Sequence, residues 1–179
     1  MNYEQILFFW FEKIEPRQWW NVDPAFDALL RERYAQLLCQ AARGELYEWR
    51  ESAPGRLAEI LVLDQFSRNI HRDTPQAYAQ DGMALVLAQE AVAAGALDVL
   101  EQEQRGFLLM PYMHSESPAI HVQAERLFKA FTSATSFRFE VRHKEIIDRF
   151  GRYPHRNQTL GRESSEQERA FLKEPGSSF

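Results

Sequence analysis

The sequence predicts an all-α protein. Apolar residues recur at intervals of three and four along most of the chain, the breaks between these runs fall at Pro and Gly, and no alternating apolar run bounded by turn dipeptides rivals them. The 179 residues are enough to bury a sizeable core without disulfides or metals and fit one domain, 1–179. Helix pairs joined by short Pro/Gly turns favour an irregular antiparallel bundle or a solenoid-like stack.

The elements follow in order. From Tyr3 to Lys13 apolar residues crowd nearly all sides, as in a mostly buried first helix ended by Glu15-Pro16. Trp19 and Trp20 follow in a connector, where their flat rings are expected to close over a core edge. Asp23-Pro24 reads as an N-cap with proline in the first helical position, and Phe26, Leu30, Leu37, Leu38 and Ala41 carry that helix to a stop at Gly44. Pro54-Gly55 reads as a turn. Arg56 to Ile70 is the most apolar helix and is expected at the centre. Thr74-Pro75 opens a helix that runs to about Gly95. Asp98 caps another that ends before Pro111, and Pro111 to Glu116 reads as a loop. Ser117-Pro118 starts a helix through Phe131, and Phe137 to Phe150 forms the next, stopped by Gly151. Ser165 and Glu168 fit a capping box for a last short helix, and Pro175 to Phe179 is a tail whose terminal Phe could dock or fray.

Composition narrows the function. A formal net charge of -5 argues against general nucleic-acid binding, which depends on basic surface. Cys39 is the only cysteine, so neither an intrachain disulfide nor a thiolate zinc site can form, and a reducing cytoplasm is the simplest expectation. Inside a predicted helix it reads as a small buried hydrophobe. The apolar run Ile6 to Phe11 is too short to span a bilayer, and its flanks do not fit a cleaved leader.

The densest concentration of Arg, His, Asp and Asn lies between Arg142 and Ser164. Part of it echoes the central helix: Leu63 to Arg72 aligns with Ile147 to Arg156, with Asp, Phe, Arg, His and Arg recurring at the same spacing. In the first copy Asp64, Arg68, His71 and Arg72 are expected on one face, with Asp64 and Arg68 able to satisfy each other. Should the two helix ends meet, Arg68, His71, Arg72, Arg152, His155 and Arg156 would build one cationic pocket for a carboxylate or phosphate. Ser67 in one copy and Gly151 in the other imply different local backbones.

Taken together, Phe9-Trp10-Phe11, Trp19-Trp20, Gly44-Glu45-Leu46, Leu63-Asp64-Gln65-Phe66 with Arg68-Asn69, Met110-Pro111 with His114-Ser115-Glu116, Arg149-Phe150-Gly151-Arg152, Pro154-His155-Arg156-Asn157, Leu160-Gly161-Arg162 and Gly176-Ser177-Ser178-Phe179 resemble an uncharacterised, mainly bacterial family known as domain of unknown function 924. The resemblance runs almost end to end. It implies an all-helical, tetratricopeptide-like superhelix and no established activity. Ser67 stands where the family often has proline, a departure at the helix end rather than in the polar set.

Several chemistries compete for these residues. His114, His143 and His155 with Glu116 and Asp148 offer nitrogen and oxygen ligands for a metal, but their spacing matches no metal signature, so no metal is expected and no cofactor is indicated. Ser115 and Cys39 are candidate nucleophiles without a recognisable elbow or a positioned base. Acid–base hydrolysis of a phosphate- or carboxylate-bearing substrate would use the arginines for charge and His114, His143 or His155 for the proton, with His114, Glu116 and His155 as the leading candidates. A binding protein would hold a small anionic ligand or acidic peptide among Arg68, His71, Arg72, Arg152, His155, Arg156 and Arg162, with His114 and Glu116 on the rim. Against both stands a purely structural network of Arg, Asp and His, with any interaction at another surface.

Overall fold

A computed structural model describes residues 1–178, and they are helical with no strand among them. Helix α1 (Tyr3–Phe8) widens into a π turn, Phe9–Lys13, and α2 spans Pro24–Ala42. Helix α3 (Ala53–Leu61) continues through a second π turn, Val62–Phe66, into α4 (Ser67–Ile70). Then come α5 (Asp81–Ala93), α6 (Ala96–Val99), α7 (Gln102–Met113), α8 (Pro118–Phe131), α9 (Ala134–Phe150) and α10 (Glu166–Phe171). The reading of Phe179 lies outside the described residues.

The caps bear the helices out. Asp23 accepts from the N–H groups of Ala25 and Phe26 at 2.9 and 3.3 Å, ahead of Pro24. Gly151 ends α9 at φ +69°, where a Cβ would be strained. Ser165 and Glu168 close the expected capping box.

Several expectations change. Pro54-Gly55 is not a turn: Ser52 caps α3 and both residues lie in its first turn, where a missing N–H costs nothing. Glycine is required there because a Cβ would run into the Trp49 carbonyl oxygen of the preceding short helix. Helix α7 is capped by Glu101 rather than Asp98, and it runs through Pro111 to Met113, so the loop shortens to its end at His114. Pro111 is tolerated because it sits in the last turn, where the interruption touches a helix that is about to end. Cys39 is exposed, on the outer face of α2.

Helix α3 and its π turn form the centre. Leu57, Ala58, Ile60, Leu61, Val62, Leu63 and Phe66 are all inaccessible to solvent. Helices α1, α5 and α7 pack around α3, α2 packs on α4 and the π turn, and α7, α8 and α9 pack in succession. An aromatic cluster of Trp10, Phe26, Tyr34, Phe66 and Phe107 fills the space between α1, α2 and α7. Ile146, Ile147 and Tyr153 form a separate small cluster with Phe150 and Phe171.

Among these apolar residues Glu59 is fully buried and is held by a bidentate fork from Arg50, both bonds at 2.7 Å. Breaking such a pair strands a charge. Arg50 is about one-third exposed, so water can partly replace it, and Arg50→Ala is expected to cost about 3 kcal/mol. The measurement is chemical denaturation, with Arg50→Met/Glu59→Leu recovering most of the loss. An unchanged midpoint for Arg50→Ala would contradict this account.

Candidate functional site

The densest polar network begins at the π turn after α3. Asp64 lies in that turn with its side chain 1% exposed, and such a carboxylate survives burial only if it is fully compensated. Its Oδ1 accepts from His114 Nδ1 at 2.8 Å and pairs with an Arg68 terminal nitrogen at 2.9 Å, while Oδ2 accepts from Gln65 Nε2 at 2.6 Å. These partners hold the carboxyl far below the ordinary range against the opposing effect of burial.

Arg68 reaches onward. It donates to the Asp64 carbonyl at 2.9 Å and to Asp81, at the start of α5, at 3.1 Å. The same Asp81 oxygen accepts from Arg156 at 3.1 Å, so the two sequence echoes do meet, through a carboxylate between them. Arg156 also donates to the His114 carbonyl at 3.1 Å, and its guanidinium lies between the rings of Tyr78 and Tyr153 at 4.6 and 4.7 Å. Glu116 accepts the Tyr153 N–H at 2.8 Å and a fork from Arg162 at 2.6 and 2.9 Å.

This network walls an open cavity of about 380 Å³ whose lining includes Tyr78, Asp81, His114, Ser115, Glu116 and Arg156. His114 is the chemically distinctive member. A carboxylate only accepts, so Nδ1 carries the proton given to Asp64 and Nε2 presents a lone pair. Nε2 has no hydrogen-bond partner among the described residues. Burial and then Arg68 push the imidazole pKa down, against the pull of Asp64, which keeps the ring neutral near pH 7. A neutral imidazole aligned by a carboxylate can accept a hydrogen bond or a proton.

The remaining candidate residues go elsewhere. Helix α4 ends at Ile70, so His71 and Arg72 leave the face that carries Asp64 and Arg68. Arg72 forks onto Asp27 of α2 at 2.6 and 2.9 Å, with Asn69 adding a third bond at 2.8 Å. His71 has its pKa lowered by burial and by Arg31 and does not line the cavity. Arg152 forks onto Glu168 at 2.7 and 2.9 Å. Arg162 is engaged by Glu116, and His155 packs beside Tyr153 with ring centroids 5.7 Å apart, outside the lining. Asp148 pairs with Lys144, Ser115 uses its hydroxyl to accept the Ser117 N–H at 3.2 Å, and among the described residues no group of three or more His, Cys, Asp or Glu is placed to hold a metal. A cationic pocket is therefore not what forms. Three arginines, Arg68, Arg156 and Arg162, face three carboxylates, Asp64, Asp81 and Glu116.

Sequence reasoning missed Asp81, Tyr78, Tyr153, Asp27 and His121. An acidic residue in a first helical turn was a signal for Asp81, but its partners are remote in sequence. His121 is fully buried in α8, with Nδ1 2.8 Å from Glu140 and Nε2 donating to the Ser115 carbonyl at 2.8 Å. That bond fixes the strand of chain carrying His114 and Ser115 from behind.

The comparisons with known proteins bear on the whole chain. The family described as "Bacterial protein of unknown function (DUF924)" matches residues 6–176. A solved structure of ATU0120, a protein of unknown function from Agrobacterium tumefaciens, is 36% identical, covers 96% of each chain and superposes with a TM-score of 0.91. No protein with a curated description matches.

The buried histidines give the site a pH dependence. Burial takes His143 down to about 3, and burial with Arg156 takes His155 down to about 4, from an ordinary value of 6.5; His114 is lowered in the same direction. The unfolded chain thus takes up protons that the native state refuses, so this stabilisation is complete above pH 6.5 and is lost progressively as pH falls to about 4 for His155 and about 3 for His143. Lowered carboxylates such as Glu116 and Asp27 add losses only at lower pH, and the raised Glu140 opposes them. Denaturation free energy is expected to fall between pH 7 and 5, with a shallower slope, by up to about 1.4 kcal/mol per pH unit, in His143→Asn. Constant stability across that range would contradict the assignment.

Proposed function

We propose that this chain, which belongs to the DUF924 family of bacterial proteins of unknown function, binds a small polar molecule in the cavity beside His114 and takes a hydrogen bond from it at His114 Nε2. The observation carrying this reading is the Asp64–His114 dyad. One ring nitrogen is committed to a buried carboxylate at 2.8 Å, and the other is an acceptor without a protein partner on a cavity-lining side chain. An acceptor aligned by a buried carboxylate and facing a cavity without a protein partner is available to a ligand.

Charge shapes the choice of ligand. A small anion or acidic peptide would have to compete with Asp64, Asp81 and Glu116 for arginines already paired, so the balanced wall favours a neutral or zwitterionic molecule. The same dyad has the parts of a general base, and hydrolysis of a bound ester would depend on the same nitrogen. The packing of α7, α8 and α9 in succession supports a tetratricopeptide-like superhelix, although α3 is buried against α1, α5 and α7 rather than lining an open groove. The exposed thiol of Cys39 suits a reducing, cytoplasmic setting.

A second reading has its own support: every arginine of the network is paired with a carboxylate, which is how a cluster that only fastens helix ends would look. Imidazole-detected NMR of the wild type, during a screen of small hydroxyl- and amine-bearing fragments, separates the two. Binding predicts fragments that shift His114 Nε2 and lose about tenfold in affinity in His114→Asn, the weight of one hydrogen bond. Fragments that bind His114→Asn equally well would overturn it. So would a screen in which nothing moves Nε2 while His114→Asn merely melts earlier, the result expected of a fastening network.

A further inference from the structure

A second cavity, of about 220 Å³, has aromatic walls from Trp19, Trp20 and Phe107. Trp19 is fixed by its indole N–H, which donates to the Trp10 carbonyl at 3.0 Å, and it meets Phe107 edge-on at 5.1 Å. Trp20 stacks on Phe107 at 5.8 Å and 14° between planes, yet remains 64% exposed. The expectation that both tryptophans lie over the core therefore holds for Trp19 alone. An exposed, stacked indole beside a hollow is a recognition surface waiting for a partner.

Two features indicate what that partner is. The first is Gly106, buried in the interior of α7, where glycine weakens a helix relative to alanine. A Cβ at Gly106 would meet no atom within 4 Å, so packing does not demand glycine, and its absent side chain keeps the cavity open. The second is Glu103, one turn before Phe107 on the same face of α7, which lines the cavity and has neither ion pair nor side-chain hydrogen bond among the described residues. No lysine or arginine lines the cavity. Ser133 at its edge has its hydroxyl oxygen occupied by the Ser136 N–H at 3.1 Å, which shields the start of α9.

We propose that this cavity binds a compact organic cation, a quaternary or methylated ammonium group, held against the exposed indole of Trp20 beside Trp19 and Phe107, with Glu103 supplying the opposite charge. Ring faces carry negative electrostatic potential and attract weakly hydrated cations, and no cationic side chain lines the walls to hold an anion. The proposal does not rest on the reading of the His114 cavity.

The test uses the whole protein. Choline and tetramethylammonium are titrated against the indole N–H resonances, alongside 3,3-dimethylbutanol, which has the shape of choline without its charge. The proposal expects saturable shifts at Trp19 and Trp20, at least ~5-fold tighter binding of choline than of the neutral alcohol, and a loss confined to the cations in Glu103→Gln. Gly106→Leu, which places a side chain into open space in a position favouring helix, is expected to abolish the shifts with unchanged circular dichroism. Equal affinity for the alcohol and choline would reduce the cavity to an apolar hollow and overturn the proposal, as would an absence of saturable shifts.

Discussion

The burial of Asp64 is the constraint on which the surrounding structure depends. A carboxylate 1% exposed in the most apolar helix of the chain is costly unless several donors converge on it. Each donor comes with an element attached. Gln65 and Arg68 belong to the same π turn and the helix after it, while His114 fixes the end of α7. Arg68 then needs a second carboxylate for its fork and recruits Asp81 at the start of α5; Asp81 in turn holds Arg156, which ties down the segment after α9. One buried charge thus sets the relative positions of four segments that are far apart in sequence.

The π turn makes this arrangement possible. An extra residue in the turn shifts the face on which later side chains emerge, and wide turns of this kind often occur where a side chain must be aimed at a site. Here the turn leaves Asp64 inside with Arg68 beside it, and Arg68 takes up the Asp64 carbonyl as well. Farther out, the charges cancel. His121 and Glu140 face each other fully buried, 2.8 Å apart, and burial raises the Glu140 carboxyl. Burial lowers His114, His143 and His155 toward the neutral form, helped by Arg68 at His114, by neighbouring histidines at His143 and by Arg156 at His155. The interior tolerates this many titratable groups because hardly any charge in it is uncompensated.

Much of the fold was legible because it rests on local chemistry. Asp23-Pro24, Gly151 and the Ser165–Glu168 box act within a few residues of themselves, and the apolar density of Arg56 to Ile70 announced a central helix. The site was legible only in part. The Asp64–Arg68 pair follows from helical spacing, but a π turn cannot be seen in a periodicity read at one pitch, and the expected common face with His71 and Arg72 fails because α4 ends at Ile70. Grouping cations by their clustering in sequence pointed to a pocket for anions. It left out Asp27, Asp81 and Glu168, the carboxylates that the fold sets against Arg72, Arg156 and Arg152. Partners supplied by tertiary contact have no local signature, and for a charged cluster they decide the chemistry.

The two cavities are physically adjacent through α7. Gln65 donates at 2.6 Å to Asp64, whose other oxygen orients His114, and at 3.2 Å to the Met110 sulfur. Met110 in turn lines the aromatic cavity next to Phe107. Thioether sulfur is a weak acceptor on a flexible side chain, so it yields to a neighbour more readily than a carboxylate does. The wall of one cavity and the hydrogen-bond shell of the other therefore share a single amide. Gln65 is 8% exposed and lies at the π turn, the one place in α3 and α4 where the backbone departs from regular helix. The sequence Leu63-Asp64-Gln65-Phe66 forms one packed unit: Phe66 anchors the aromatic core, Asp64 collects the charges, and Gln65 joins the two sides.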